Sequence, residues 1–181
     1  DVLFGDYNPA GRLPVSIPKS VGQSPVYYNH WWPKRRDYVE ETSAPLYAFG
    51  HGLSYTTFDY SDLKISQSGN AANTTIEVSV DVKNIGDRDG DEVVQLYLSD
   101  VVSSVVTPVK QLRGFERIYL AKGESKTVTF ILTPLELALY DAEMNHVAEA
   151  GEFEVQLGTS SQDIRLKKRF ELSESIQLSN N

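Results

Sequence analysis

From Thr75 to Asn84 the chain alternates without a slip: Ile76, Val78, Val80 and Val82 fall on one side, Glu77, Ser79, Asp81 and Lys83 on the other. A period of two marks a half-buried antiparallel strand. Comparable apolar runs predict strands over Tyr60–Ser66, Glu92–Ser99, Gln111–Leu120, Lys126–Leu132, Glu152–Gly158 and Ile164–Leu172, with short elements at Leu137–Tyr140 and His146–Glu149. Turn chemistry separates them: Asn84-Ile85-Gly86-Asp87 with Asp89-Gly90-Asp91, then Lys122-Gly123-Glu124, then Ala150-Gly151.

Short strands punctuated at this spacing define an all-β, two-sheet sandwich of the immunoglobulin or fibronectin type III kind over residues 55–172, and no helix of useful length is required. The polar stretch 173–181 reads as a weakly held, flexible tail.

The amino-terminal third follows no such period, so the sandwich carries an irregular N-terminal extension. Residues 1–24 hold one strand candidate, Leu13 to Ile17, with Pro14 and Pro18 near its ends and the turn Asn8-Pro9-Ala10-Gly11 before it. Prolines there fit an edge or terminal strand, whose partners are expected upstream. Residues 25–54 interleave Tyr27, Tyr28, Trp31, Trp32, Tyr38, Tyr47 and Phe49 with Pro25, Pro33 and Pro45. Apolar rings left in water are costly, so this connector is expected to wrap over a neighbouring surface. Within it Gly50 and Gly52 bracket His51, which predicts a backbone that turns sharply or approaches another surface closely.

A chain of 181 residues accommodates one domain plus an appendage. Its net charge of −8 argues against a nucleic-acid or anionic-membrane partner, since the only basic clusters are Lys34-Arg35-Arg36 and Lys167-Lys168-Arg169. Nor does any apolar stretch approach the ~20 residues needed to span a bilayer. With no cysteine, disulfides and thiolate metal sites are excluded. Residue 1 falls inside Asp-Val-Leu-Phe-Gly-Asp-Tyr, which reads as the interior of a folded segment whose upstream bulk lies elsewhere.

Candidate chemistry is sparse. His30, His51 and His146 are too scattered for metal-ligand spacing, and Asp87, Asp89 and Asp91 lack the twelve-residue pattern of a calcium loop, so no metal site is expected. Asn73-Thr74-Thr75 is a formal glycosylation sequon on a turn.

Five segments resemble the carboxy-terminal part of a family-3 glycoside hydrolase of the β-glucosidase type. They are G-D-Y-N-P-A-G-R-L-P-V-S-I-P at 5–18, P-L-Y-A-F-G-H-G-L-S-Y-T-T-F at 45–58, D-E-V-V-Q-L-Y-L-S-D at 91–100, P-V-K-Q-L-R-G-F-E-R-I at 108–118 and G-E-F-E-V-Q-L-G-T-S-S at 151–161. The resemblance implies that residues 1–24 are the end of that family's α/β sandwich domain, 25–54 the connection, and 55–172 its fibronectin type III-like third domain. It also implies a parent that hydrolyses terminal β-linked sugars with retention, uses no cofactor and is periplasmic or secreted.

Retention requires two carboxyl groups about 5 Å apart. In the family these are an Asp of a Ser-Asp-Trp motif and a Glu, both upstream of the residues matched here. Ser61-Asp62-Leu63 mimics the first only superficially. The fragment is therefore expected to be inactive, with no catalytic residue of its own, and its partners to be the catalytic domains of its parent.

The expected interdomain packing residues are Tyr47, Phe49, His51 and Tyr55. Tyr28, Asn29, Trp31, Trp32, Arg35 and Arg36 are rim candidates for a β-linked oligosaccharide, because rings stack on pyranose faces while Asn and Arg satisfy hydroxyls. A competing expectation is an autonomous carbohydrate-binding module using Trp31 and Trp32. A spacer sandwich is disfavoured because no internal repeat is present.

Overall fold

A computed structural model describes residues 1–31, 42–69 and 73–178. Two one-turn 3-10 helices, Val2–Phe4 and Val21–Gln23, lie in the irregular amino-terminal region. The strands that follow are β1 (Phe58–Ser68), β2 (Thr75–Asn84), β3 (Gly90–Asp100), β4 (Gln111–Leu120) and β5 (Ser125–Leu132). A single helical turn, α1 (Pro134–Leu137), leads to β6 (Leu139–Tyr140), β7 (His146–Ala148), β8 (Gly151–Gly158), β9 (Ile164–Leu172) and β10 (Ile176–Gln177). All seven expected long strands are present. Among the described residues no helix is long and apolar enough to cross a membrane.

Pairing is antiparallel throughout and sorts the strands into a β1-β2-β5 sheet, a β4-β3-β8-β9 sheet and a small β10-β7-β6 sheet. The alternation in β2 does what its period requires: Ile76, Val78, Val80 and Val82 are wholly buried. They share one core with Val94, Leu96 and Leu98 of β3, Val128 and Leu132 of β5, and Phe153, Val155 and Leu157 of β8. Each fully buried aliphatic side chain contributes about 1.5–3 kcal/mol of transfer energy, so this two-sheet interior is the main source of stability.

Asp62 lies in β1 at the register shift between Ser61 and Lys64, exposed and with φ 53°. A short polar side chain tolerates that left-handed backbone better than a branched one. The Ser-Asp pair is thus part of a β-bulge.

Two expectations are corrected. Residues 13–17 form no strand: Ile17 makes one isolated bridge to Tyr47, Leu13 N–H donates to His51 O, and Gly50 N–H donates to Leu13 O. Pro14 and Pro18 lack the donors a ladder needs, and the partners lie downstream in residues 46–51 of this same chain. Nor is the tail loose as far as Leu178. Ile176 enters the core, β10 pairs with β7, and Leu178 N–H donates to His146 O. The alternation of Ile176 and Leu178 among polar neighbours supplies the apolar contacts. Residues 179–181 lie outside the described set.

The carboxy-terminal pairing gives a first test. Ile176→Ala is expected to cost about 2 kcal/mol, the low end for a buried aliphatic truncation, read as a lower urea midpoint at unchanged slope. A midpoint equal to that of the unsubstituted chain would show that the tail is not docked.

Candidate functional site

The functional region is where the irregular amino-terminal segment meets the sandwich. β3 is the reason they meet. Val94, Leu96 and Leu98 face the core, yet Gln95 and Tyr97, which alternation points to the other side, are also buried. The cover over that outer face is the connector. Tyr28 packs edge-on to Tyr97 with ring centroids 5.8 Å apart, and Phe49 stacks on Tyr28 at 4.3 Å. The Tyr28 hydroxyl accepts from Leu112 N–H at 3.1 Å, and Phe49 O accepts from Ser161 N–H at 2.9 Å.

The Gly-His-Gly corner makes the close approach its sequence predicts. Gly50 has φ 80°, and a Cβ there would stand 2.1 Å from Gln95 Oε1; at Gly52 a Cβ would stand 2.3 Å from Gly11 O. Backbone closes Gly52 to a side chain, and at Gly50 the left-handed φ and the hydrogen-bonded Gln95 amide both oppose one. Gln95 is fully used against this corner: Nε2 donates to Gly50 O at 3.1 Å and to Thr159 O at 2.6 Å, while Oε1 accepts from Tyr97 Oη at 2.6 Å.

A second clamp closes the end of the sandwich. Arg12 Nη2 donates to Glu92 Oε1 at 2.7 Å, and the two side chains are only 10% and 3% exposed. Glu92 Oε1 also accepts from Val93 N–H. Burial nevertheless pushes the Glu92 carboxyl above the usual carboxylate range, outweighing Arg12. Arg12 Nε and Nη1 have no protein partner, so the pair is incompletely compensated.

Further out, the Tyr55 hydroxyl donates to Val2 O at 2.8 Å beneath the Arg88 guanidinium, which lies 5.8 Å from the ring centroid and donates to Gly5 O. His51 stacks on Tyr47 at 5.1 Å, and both reach solvent.

The candidates therefore separate. Tyr28, expected at a sugar rim, has its ring held between Phe49 and Tyr97 and its hydroxyl engaged, so here it is a packing residue. Phe49, expected to pack against other domains, finds its cover inside this chain. Asn29 is partly buried on the same limb, and Trp31 is exposed beside Pro108, with which it makes a backbone bridge. Trp32, Arg35 and Arg36 lie outside the described residues. Tyr47, His51 and Tyr55 present part of their surface outward.

A cavity of about 420 Å³ opens between the connector and the sandwich, lined by residues that include Pro25, Tyr27, Tyr28, Pro45 and Lys110. No carboxylate lines it among the described residues. Among the described residues no group of three or more His, Asp or Glu stands ready to hold a metal.

Arg12, Glu92, Gln95 and Tyr97 were not singled out by sequence reasoning. The available signal was Gln95 itself, a polar residue inside the apolar run Val-Val-Gln-Leu-Tyr-Leu, which marks a strand covered on both faces.

The fold and this junction together define a fibronectin type III-like sandwich bearing an amino-terminal segment of a second domain type. Residues 1–55 match the glycosyl hydrolase family 3 C-terminal domain and residues 92–161 the fibronectin type III-like domain. The chain belongs to the family-3 glycoside hydrolases, as their carboxy-terminal part.

It is 46% identical over 176 residues to a periplasmic β-glucosidase of Salmonella typhimurium, covering 91% of this chain and 23% of the relative. Identity to a putative β-xylosidase of Formosa agariphila is 45%, over 94% of this chain and 23% of the relative. The β-glucosidase of Listeria innocua in complex with glucose superposes with a TM-score of 0.89 at 37% identity, over 97% of this chain and 26% of that one. The chain thus spans about a quarter of the length of the relatives it matches. The family-3 match runs through residue 55, so residues set apart as a connector fall inside the matched domain.

Two expectations follow from the Arg12–Glu92 pair. Arg12→Met and Glu92→Met singly should each cost about 3 kcal/mol, and the double substitution less than either, because a buried charge is stranded only in the singles. Equal or larger loss in the double variant in urea unfolding would contradict this. The raised Glu92 carboxyl also has a pH signature. The folded state holds that proton more tightly than the unfolded chain, so the associated stability is full below the unfolded pKa and is lost as pH rises through the folded value. Relative to Glu92→Gln, the unsubstituted chain should lose stability as pH rises above the ordinary carboxylate range. A difference that is flat or runs the other way would refute that environment.

Proposed function

We propose that this chain is the non-catalytic accessory part of a retaining β-glycosidase of the β-glucosidase type, and that its work is to hold the catalytic domains in register. The observation supporting this is where apolar surface is left over. Of the 22 exposed large apolar side chains among the described residues, twelve fall in residues 1–55, including Leu3 at 90%, Phe4 at 87% and Trp31 at 62%. Such a concentration of exposed apolar side chains in one segment favours a neighbour docked over it.

Burying a handful of such side chains contributes about 1.5–3 kcal/mol each. Exposed ion pairs such as Arg165–Asp163 and Lys122–Asp87 are worth about 0–1 kcal/mol. Docking is therefore led by apolar contact. Tyr47, His51 and Tyr55 lie in the same amino-terminal segment and supply amphipathic rings. The β-linked glycoside substrate and the carboxylate pair belong to the domains so held.

The test uses the chain with a family-3 β-glucosidase lacking the corresponding region. The chain alone should show no turnover of an aryl β-glucoside, should co-elute with the truncated enzyme, and should restore its activity. Turnover that follows the purified chain itself would overturn the reading. Retardation of the chain by β-glucan in affinity electrophoresis, abolished by Trp31→Ala, would instead favour a carbohydrate-binding module.

A further inference from the structure

The two limbs of the connector leave the sandwich at different points, and both are tied back to the outer face and rim of the four-stranded sheet. On the first limb, the Tyr28 ring rests on Tyr97, His30 O accepts from Val109 N–H at 2.9 Å, and Trp31 bridges to Pro108. On the second, Gly50 O takes the Gln95 amide, Phe49 O takes Ser161 N–H, and the Phe49 ring stacks on Tyr28. Tyr97 meets the first limb and Gln95 the second. They are joined to each other by the Tyr97 hydroxyl, and they stand two residues apart on the same face of one central strand.

We propose that Gln95 and Tyr97 are positioning residues: the sandwich uses them to fix both connector limbs, and so sets where the exposed rings Tyr27, Trp31 and Tyr47 stand on the face offered to the catalytic domains. This rests on the reading of residues 1–55 as a docking face. It assigns the fibronectin-like domain an active part in shaping that face.

The chemistry favours glutamine over any apolar residue at position 95. Its amide satisfies Gly50 O, Thr159 O and the Tyr97 hydroxyl at once, and all three would be stranded in its absence. Glutamate would lack the two donors that the carbonyls require. The absence of a Cβ at Gly50 is the matching condition on the connector side, because any side chain there would strike the Gln95 amide.

The chain carries its own reporter. Its two tryptophans, Trp31 and Trp32, both belong to the connector, so tryptophan emission reads that segment while far-ultraviolet circular dichroism reads the strands. Gln95→Met keeps the length of the side chain and loses its hydrogen bonds. It should raise the acrylamide quenching constant about twofold while the strand spectrum is retained, the signature of a local rather than a global opening. Tyr97→Phe keeps the ring and removes one bond; it should shift quenching in the same direction with a smaller change in thermal midpoint, and so stands in should Gln95→Met fail to fold.

Quenching that is unchanged in a folded variant would overturn the proposal. So would quenching that rises only in step with loss of the strand signal, since that is what a purely structural role predicts. Failure of the unsubstituted chain to associate with catalytic domains would remove the docking reading and leave this coupling standing.

Discussion

A strand in the middle of a sandwich has two faces, and in β3 both must be kept from water. The run from Val94 to Leu98 is buried throughout, with Val94, Leu96 and Leu98 in the core and Gln95 and Tyr97 beneath the connector. Without the connector, a tyrosine ring and a glutamine whose donors are aimed at Gly50 O and Thr159 O would lose their cover. Most other features of the amino-terminal third follow from this. The rings of Tyr28 and Phe49 supply apolar cover, Gly50 lets the backbone come close enough to accept from Gln95, and Ser161 N–H pairs with Phe49 O at the rim. The extension and the sandwich are thus one packing unit.

Electrostatics plays a smaller and more local part. Arg12 and Glu92 form the one ion pair among the described residues that is buried on both sides. The shift of Glu92 upward shows that desolvation outweighs the attraction of its partner. Such a pair adds little net stability but punishes mispairing severely. Its value is in register: residues 11–13 fit only where Arg12 meets Glu92 and Gly52 meets Gly11. The exposed pairs on β8 and β9, Arg169 with Glu152 and Glu154, serve a solvated face and call for no functional explanation.

How much of this was legible in the sequence depended on whether the signal was local. Alternation in β2 fixed both the strand and its inward face, and glycine spacing at 50–52 announced a tight approach, because these patterns are determined by neighbouring residues. The capping box of Thr133 and Glu136 on α1 is equally local, yet it went unread until the structure showed it. The partner of Gln95 could not be read, since it lies 45 residues away and nothing in the local pattern selects Gly50. The same limit explains Tyr28: an aromatic in an unperiodic stretch is known to need cover, and only the fold says that Tyr97 provides it. Residues 13–17 misled because a short apolar run resembles a strand, whereas its prolines leave too few donors for a ladder.

The account stands on the connector being an integral cover of β3, and native-state hydrogen exchange measures that most directly. The amides of Leu13 and Gly50, bonded to His51 O and Leu13 O, should exchange with the same opening free energy as Val80 and Leu96 in the core strands. Exchange at Leu13 and Gly50 that is orders of magnitude faster, with Val80 and Leu96 still protected, would show a sandwich that is complete without its connector.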